Sequence, residues 1–376
     1  MKLFVIAGEA SGDLHASNLM KELKRLHQDT DFLCFGGDLM QEASGKLARH
    51  YREMAFMGIW EVIRNYGKIR KNLADCRAEI MHYNPDAIIL VDYAGFNLRI
   101  AEFATRRGFR VFYYISPKLW AWGKWRVKKV RKFVERMFVN LPFEVDFYHK
   151  HGIRAEYFGN PVVDSVAAGM EASEDFKAFI HQHALDDRPV IALLAGSRKQ
   201  EIDRCLPEML SVIEHYPGYQ FVIAGASSLS PEIYKPYIEG KPVRLLHGQT
   251  YRILRHSVAA VVTSGTATLE TALHRIPQVV IYKTSLFTFF VGWPFVNIKF
   301  FSLVNLIMDH EVVKELLQFN LARDIKTELD NILFNKEYRQ QMLDHYDSLK
   351  ARVGLPGVSG RVAERMLSLL HESTNS

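Results

Sequence analysis

Two doubly wound α/β domains followed by helices are the architecture this sequence predicts, and three observations carry it. Short apolar and β-branched runs alternate with amphipathic stretches of helix length. Several of those runs, such as Ala-Ile-Ile-Leu-Val at 87–91, are apolar at every position, as strands buried on both faces of a parallel sheet are. The chain has 376 residues, room for two domains of ordinary size.

Taken in order, the strand candidates of the first half are Leu3–Ala7, Phe32–Gly36, Ala87–Val91, Val111–Ile115, Met137–Val139 and Glu156–Phe158. Those of the second half are Val190–Ala195, Gln220–Ala224, Val243–Leu246, Ala259–Thr263 and Gln278–Tyr282. The pattern reads as repeated βαβ units in two Rossmann-like domains. A boundary is expected near Gly159-Asn160-Pro161, where strand-like sequence gives way to a polar stretch. The expected division is 1–164, 165–325 and a helical end at 326–376. Ligands of such sheets bind beyond the carboxyl ends of the strands, so the active site is expected in a cleft between the two domains.

Composition narrows the function classes. The chain is 48% hydrophobic and 24% charged, which fits a folded globular protein rather than a disordered one. A net charge of +6 favours an anionic partner: nucleic acid, lipid headgroup or phosphorylated substrate. Cys34, Cys76 and Cys205 are scattered without CxxC spacing, so neither a disulfide framework nor a zinc site is expected, and a reducing compartment suits them. The opening apolar run, 3–7, is too short for a secretory core and reads as a first strand. Residues 284–298 carry no charge and crowd Phe and Trp around Pro294. At under about 20 residues the run is short for a bilayer span. It is either buried core or a lipid-contacting segment.

The first candidate site loop is Gly8-Glu9-Ala10-Ser11-Gly12-Asp13, between the first strand and a helix from Leu14. Its glycines allow close backbone approach, and a helix start binds anions or polar sugars. The spacing is not GxGxxG, so the dinucleotide fingerprint is absent. Glu9 is a candidate catalytic or ligand-contacting residue; Ser11 and Gly12 are candidate acceptor contacts, with helix capping by Ser11 or Asp13 as the plain alternative. Asp92 directly follows the 87–91 run. A carboxylate there can take a proton from an attacking hydroxyl, or it caps the next helix.

In the second half, Gly196-Ser197-Arg198 follows the first strand, where backbone N–H groups and a guanidinium can meet phosphate. Ser264-Gly265-Thr266-Ala267 follows another strand, and Glu270 lies one turn further on. Gly265, Thr266 and Ala267 would face a diphosphate and Glu270 the ribose hydroxyls; the alternative is a capped helix with Glu270 in solvent. Asp29-Thr30-Asp31 spells the metal-holding DxD, but it precedes its strand and reads as a solvated turn. No metal site and no cofactor are expected, which leaves Arg198 and a helix dipole to stabilise a departing diphosphate.

Two regions suggest a lipid surface. Ile59, Val62, Ile63, Tyr66, Ile69 and Leu73 recur at helical spacing beside Trp60, with Arg64, Lys68, Arg70 and Lys71 around them; such a stripe is either membrane-facing or core. Residues 116–126 (SPKLWAWGKWR) interleave Lys118, Lys124 and Arg126 with three tryptophans. That mixture suits an acidic amphiphile. Single-stranded nucleic acid would also suit it, but no nucleic-acid-binding signature accompanies it.

The chain resembles the lipid-A-disaccharide synthases, a family of GT-B glycosyltransferases, through nearly its whole length. The resemblance is carried by GEASGD (8–13), MGIWEV (57–62), VDYAGFN (91–97), YISPKLWAW (114–122), LPFE (141–144), GNPVVD (159–164), AGSRKQEI (195–202), TSGTATLE (263–270) and SLVNL (302–306). It implies transfer of 2,3-diacylglucosamine from UDP to 2,3-diacylglucosamine 1-phosphate with inversion, on the cytoplasmic face of the inner membrane. It also implies that Asp92 is the base for the acceptor's 6-hydroxyl, that Arg198 serves the diphosphate, and that Asn305 is a donor-site residue. Lys118 falls in the SPxxWAW segment. Where the family often has a second acid this chain has Gly95, so Asp92 would act alone; Val304 stands where proline is usual. Family members can form homodimers with exchanged C-terminal segments.

Two other readings compete. Another GT-B enzyme using a UDP-sugar and a membrane-lipid acceptor would share these loops. A nucleotide-dependent oxidoreductase is disfavoured by the glycine spacing of GEASGD.

Overall fold

Strands buried on both faces organise the chain. The computed structural model describes residues 1–44, 46–54, 65–121, 123–170, 174–285 and 299–372. It divides into two compact units, Met1–Pro161 with Pro356–Ser376, and Val162–Leu355.

The first unit runs β1 (Lys2–Ala7), α1 (Ala10–Leu26), β2 (Asp31–Gly36), α2 (Asp38–Ser44), β3 (Leu47–His50), α3 (Tyr66–Tyr83), β4 (Ala87–Val91), α4 (Ala94–Arg106), β5 (Arg110–Tyr114), α5 (Val127–Phe133), β6 (Arg136–Val139), α6 (Glu144–His149) and β7 (Ala155–Tyr157). The strands form one parallel sheet in the order β3-β2-β1-β4-β5-β6-β7. In β4 the pleat sends Ile88 and Leu90 into one core and Ala87, Ile89 and Val91 into the other. An apolar run without alternation is what that position requires. Each fully buried aliphatic side chain contributes about 1.5–3 kcal/mol, so the central strands specify the sheet strongly.

The second unit runs α7 (Val162–Met170), α8 (Phe176–Gln182), β8 (Val190–Leu194), α9 (Lys199–Leu210), β9 (Gln220–Gly225), α10 (Lys235–Ile238), β10 (Val243–His247), α11 (Thr250–Arg255), β11 (Ser257–Thr263), α12 (Thr266–Leu273), β12 (Gln278–Tyr282), α13 (Leu303–Met308), β13 (Glu315–Leu317), α14 (Leu321–Phe334) and α15 (Lys336–Val353). Its sheet is also parallel, ordered β10-β9-β8-β11-β12-β13.

The helical end is not one segment. Helices α14 and α15 belong to the second unit, and α16 (Val358–Glu372) belongs to the first. It packs along α1, burying Val358, Val362, Ala363 and Met366 in the core that holds Leu3, Val5 and Leu19. Arg361 Nη2 donates to the Phe158 carbonyl at 3.0 Å and Arg365 Nε to Glu156 Oε2 at 3.0 Å. Two strands lie outside the sequence expectation, β3 and β13. Both are sheet edges of four and three residues, too short and too half-buried to show an apolar run. No helix among the described residues is long and apolar enough to cross a membrane; residues 286–298 lie outside the described residues.

Candidate active site

Each sheet reverses its strand order once, between β1 and β4 and between β8 and β11. Loops leaving the carboxyl ends of those four strands border a crevice in each unit, the place where open α/β sheets bind ligands. The four loops are 8–9, 92–93, 195–198 and 264–265, so Glu9, Asp92, Gly196, Ser197, Arg198 and Gly265 fall at the two crevices.

At the first crevice Glu9 is the N-cap of α1 in extended conformation, and its Oε1 accepts the Ser11 hydroxyl at 3.2 Å. Gly8 is there for packing: a Cβ on it would lie 2.2 Å from the Tyr93 ring. The Tyr93 hydroxyl donates to the Met54 carbonyl at 2.7 Å. Burial first, and then the nearby Glu9 charge, push the Tyr93 phenol up to about 12. Asp13 clamps the next turn instead of capping its own helix. Its carboxylate accepts the amides of Gly37, Leu39 and Met40 at 2.7, 3.2 and 3.1 Å, and burial raises its pKa against those bonds.

Asp92 and Tyr93 are consecutive left-handed residues, with φ of 44° and 45°. Each such non-glycine residue costs about 1–3 kcal/mol and persists only where the surroundings enforce it. They do so here. The Asp92 amide reaches the Tyr114 and Ile115 carbonyls at 3.2 Å each. Its carbonyl accepts Asn97 Nδ2 at 2.9 Å and the Tyr113 hydroxyl. The backbone is therefore held from three sides, and the half-buried side chain is presented at the strand end. Gly95 is exposed, and a Cβ on it meets nothing within 4 Å.

At the second crevice the two loops differ. Gly196 adopts φ 110°, and Glu201 folds back over it: its Oε2 accepts the Ser197 and Arg198 amides at 2.9 and 3.3 Å, and its Oε1 accepts Arg198 Nη1 at 3.0 Å. A carboxylate of the chain thus lies on the donors predicted for a phosphate, an arrangement absent from the sequence reading although Glu201 stands three residues after Arg198, at capping-box spacing. The other loop is open. The amides of Gly265, Thr266 and Ala267 at the start of α12 make no hydrogen bond among the described residues, as expected of a helix N-terminus awaiting a ligand. Glu270 is partly buried and accepts the Tyr251 hydroxyl at 2.9 Å; burial raises its carboxyl above the ordinary range.

Comparison with known proteins shows the family. The family model described as lipid-A-disaccharide synthetase matches residues 3–354. A lipid-A-disaccharide synthase of Geobacter metallireducens is 37% identical over 377 residues, covering 98% of this chain and 97% of the relative. The chain belongs to the lipid-A-disaccharide synthase family. The Myxococcus xanthus synthase is 38% identical over 98% of this chain and 97% of its own length. As a member of this family the chain is a glycosyltransferase. Among solved structures, a UDP-GlcNAc 2-epimerase from Neisseria meningitidis bound to UDP-GlcNAc superposes with a TM-score of 0.69 at 15% identity, covering 98% of this chain and 100% of that one. An Anabaena protein in complex with UDP and glucose gives 0.58 at 11% identity over 98% of this chain and 100% of that one. At such identities the likeness is one of fold.

The structure bears on three further regions singled out in the sequence. Asn305 is fully buried, and its amide is spent. Nδ2 donates to the Val313 carbonyl and to Glu315 Oε1 at 2.9 and 2.8 Å; Oδ1 accepts the amides of Val312 and Val313 at 2.8 and 3.0 Å. Two donors and two lone pairs are all an amide has, so Asn305 braces the 312–315 turn and has nothing left for a ligand. The stripe of Tyr66, Ile69 and Leu73 splits: Leu73 is core, Ile69 is partly buried against it, and Tyr66 is 56% exposed. Ile59, Trp60, Val62 and Ile63 lie outside the described residues. In the 116–126 segment Leu119 and Ala121 are buried, Lys118 is exposed, and Trp125 is 67% exposed; Trp122 is outside the described residues.

Proposed function

We propose that this chain transfers 2,3-diacylglucosamine from its UDP derivative to the 6-hydroxyl of 2,3-diacylglucosamine 1-phosphate, releasing UDP and the β-1,6-linked disaccharide 1-phosphate. The observation that carries this reading is the pairing of a carboxylate at one crevice with unspent amides and a guanidinium at the other. Asp92 is the general base. Deprotonating the attacking hydroxyl makes it a nucleophile as the anomeric bond to the diphosphate breaks, with inversion. Glu9 and Ser11 line the acceptor side with Lys118. The amides of 265–267 and Arg198 take the charge that develops on UDP, Arg198 exchanging its Glu201 partner for phosphate. Glu270, one oxygen held by Tyr251, offers the other to ribose.

The test uses purified protein, UDP-2,3-diacylglucosamine and the monosaccharide 1-phosphate. The expected products are equal amounts of UDP and a tetraacyl disaccharide. UDP release without disaccharide, or turnover only with a different lipid acceptor, would assign the chain to another reaction.

Both substrates carry acyl chains that are costly to expose to water, and the enzyme is proposed to work docked on the cytoplasmic leaflet of the inner membrane. Helices α3, α4 and α5, which cover the same core, carry ten Lys and Arg against three Asp and Glu. That excess of seven exceeds the +6 of the whole chain. Helices α1 and α16 on the other core carry five against four. Each cation near an anionic surface contributes about 1 kcal/mol, screened by salt. Exposed Tyr66 and Trp125 begin or precede helices of the basic layer and add a salt-resistant part.

A further inference from the structure

The LPFE motif has no part in the chemistry above, yet it ends on a fully buried acid. Glu144, the first residue of α6, is 0% exposed. Its Oε1 accepts the Trp120 indole N–H at 2.8 Å, and its Oε2 accepts the Leu141 amide at 3.0 Å. No ammonium or guanidinium forms an ion pair with it among the described residues. Burying an acid in this way is costly, so the arrangement asks for a reason.

Geometry supplies one. The two N–H donors address different oxygens, and an ionised carboxylate accepts at both more strongly than a protonated acid, whose hydroxyl oxygen is the poorer acceptor. A protonated acid weakens the bond at its hydroxyl oxygen, and a glutamine turns an N–H toward one of the donors and loses that bond. What the carboxylate holds is the stretch between β5 and α5. The Pro117 carbonyl accepts the Tyr148 hydroxyl at 2.8 Å, and Trp120 packs edge-on against Phe143 at 5.0 Å. At the other end of the stretch, left-handed Ile115 (φ 59°) and Tyr114 receive the Asp92 amide. One segment thus links α6 to the backbone of Asp92 and carries exposed Lys118.

We propose that ionised Glu144 is a positioning residue for the acceptor: it locks residues 116–121, and through them Lys118 and the Asp92 backbone, in the acceptor-receiving form. This rests on the reading of Asp92 and Lys118 given above. Protonating Glu144 removes the charge assistance from its bonds to the Trp120 indole and the Leu141 amide and loosens the segment. Burial pushes the Glu144 carboxyl up to about 7, against the hydrogen bonds and the Lys118 charge that lower it. The other titratable groups facing it are Tyr148 on α6 and Tyr157 on β7; burial, and then the Glu144 charge, raise both phenols. The lock is then open in mild acid and closed above neutrality.

The experiment is a pH titration of the full chain labelled with ¹⁵N-tryptophan, with the Trp120 indole signal assigned by its loss in Trp120→Phe. In the wild type that signal should move with a midpoint of about 7; in Glu144→Gln it should be insensitive to pH. In kinetics, Glu144→Gln should raise the acceptor KM roughly tenfold or more, the loss expected for a hydrogen bond to a charged group, with UDP affinity unchanged and the part of the acid limb of kcat/KM near pH 7 removed. If Glu144→Gln does not fold, Trp120→Phe keeps the carboxylate with one donor fewer and should shift the acid limb to higher pH. An indole signal that ignores pH in the wild type, a wild-type acceptor KM in Glu144→Gln, or an unshifted acid limb in Trp120→Phe overturns the proposal. An active Asp92→Asn enzyme with the Trp120 titration intact would remove only the assignment of the base.

Discussion

At the crevice between β1 and β4 the protein places two carboxylates, Glu9 and Asp92; at the crevice between β8 and β11 it places Arg198 and the amides of 265–267. The two sheets share the strand order 3-2-1-4-5-6, with one strand more in the first, so topology does not explain the difference. Loop construction does. In the first unit a run of left-handed backbone at 92–93 is held by Asn97, Tyr113 and the 114–115 carbonyls, which presents a side chain. In the second, the start of α12 presents backbone N–H groups, while Glu201 covers those that follow Gly196. On the proposed function, the side-chain crevice would supply the base and the amide crevice would receive the anion. The same fold thus serves the two halves of a group transfer.

Changes at one crevice should leave the other intact, and that expectation can be broken. The largest effect is expected for Asp92→Asn, which should slow turnover by roughly a hundredfold or more, the range for a lost base, with UDP binding by calorimetry unaltered. Asn305→Ala should come next, by a different route. It strands two amides and a carbonyl and leaves Glu315, among the described residues, with only the Phe301 and Ser302 amides, and should lower the stability of the second unit in urea by about 3 kcal/mol, with UDP affinity preserved under folding conditions. A specific loss of UDP binding at full stability would return Asn305 to the donor site.

Arg198→Ala should weaken UDP binding by roughly tenfold to a hundredfold, the value of a charge-assisted bond, and leave acceptor affinity unchanged. Gly95→Asp sharpens the comparison from the other side, since the position is open and lies in the first turn of α4. Replacing a helical glycine with an acid at a helix start should raise stability by about 0.5–1 kcal/mol. A large gain in turnover would show that the first crevice works better with paired acids. The smallest effect is expected for EDTA, which should leave turnover unchanged if, as proposed, the second crevice meets the diphosphate with nitrogen donors. Activity lost in EDTA and restored by magnesium would contradict this.

Much of the molecule is legible in its sequence. Strands such as β1, β4, β8 and β11 are buried on both faces, and a strand in that position writes itself as an unbroken apolar run. The four crevice loops were legible for a related reason, because each directly follows such a run. What sequence by itself determined is therefore the pair of parallel sheets, the loops at their carboxyl ends and the family. The tertiary structure decided which of those loop residues are spent. Glu201 lies on its own loop's amides, Asn305 is consumed by partners up to ten residues away, and Trp120 is tied to Glu144 across 24 residues. It also decided that α16 returns to the first unit and that β3 and β13 close the sheet edges. Hydrogen bonds and edge pairings of this kind depend on groups distant in the chain. A side chain's chemistry is local and can be read in order along the sequence, but its partner is set only when the chain has folded.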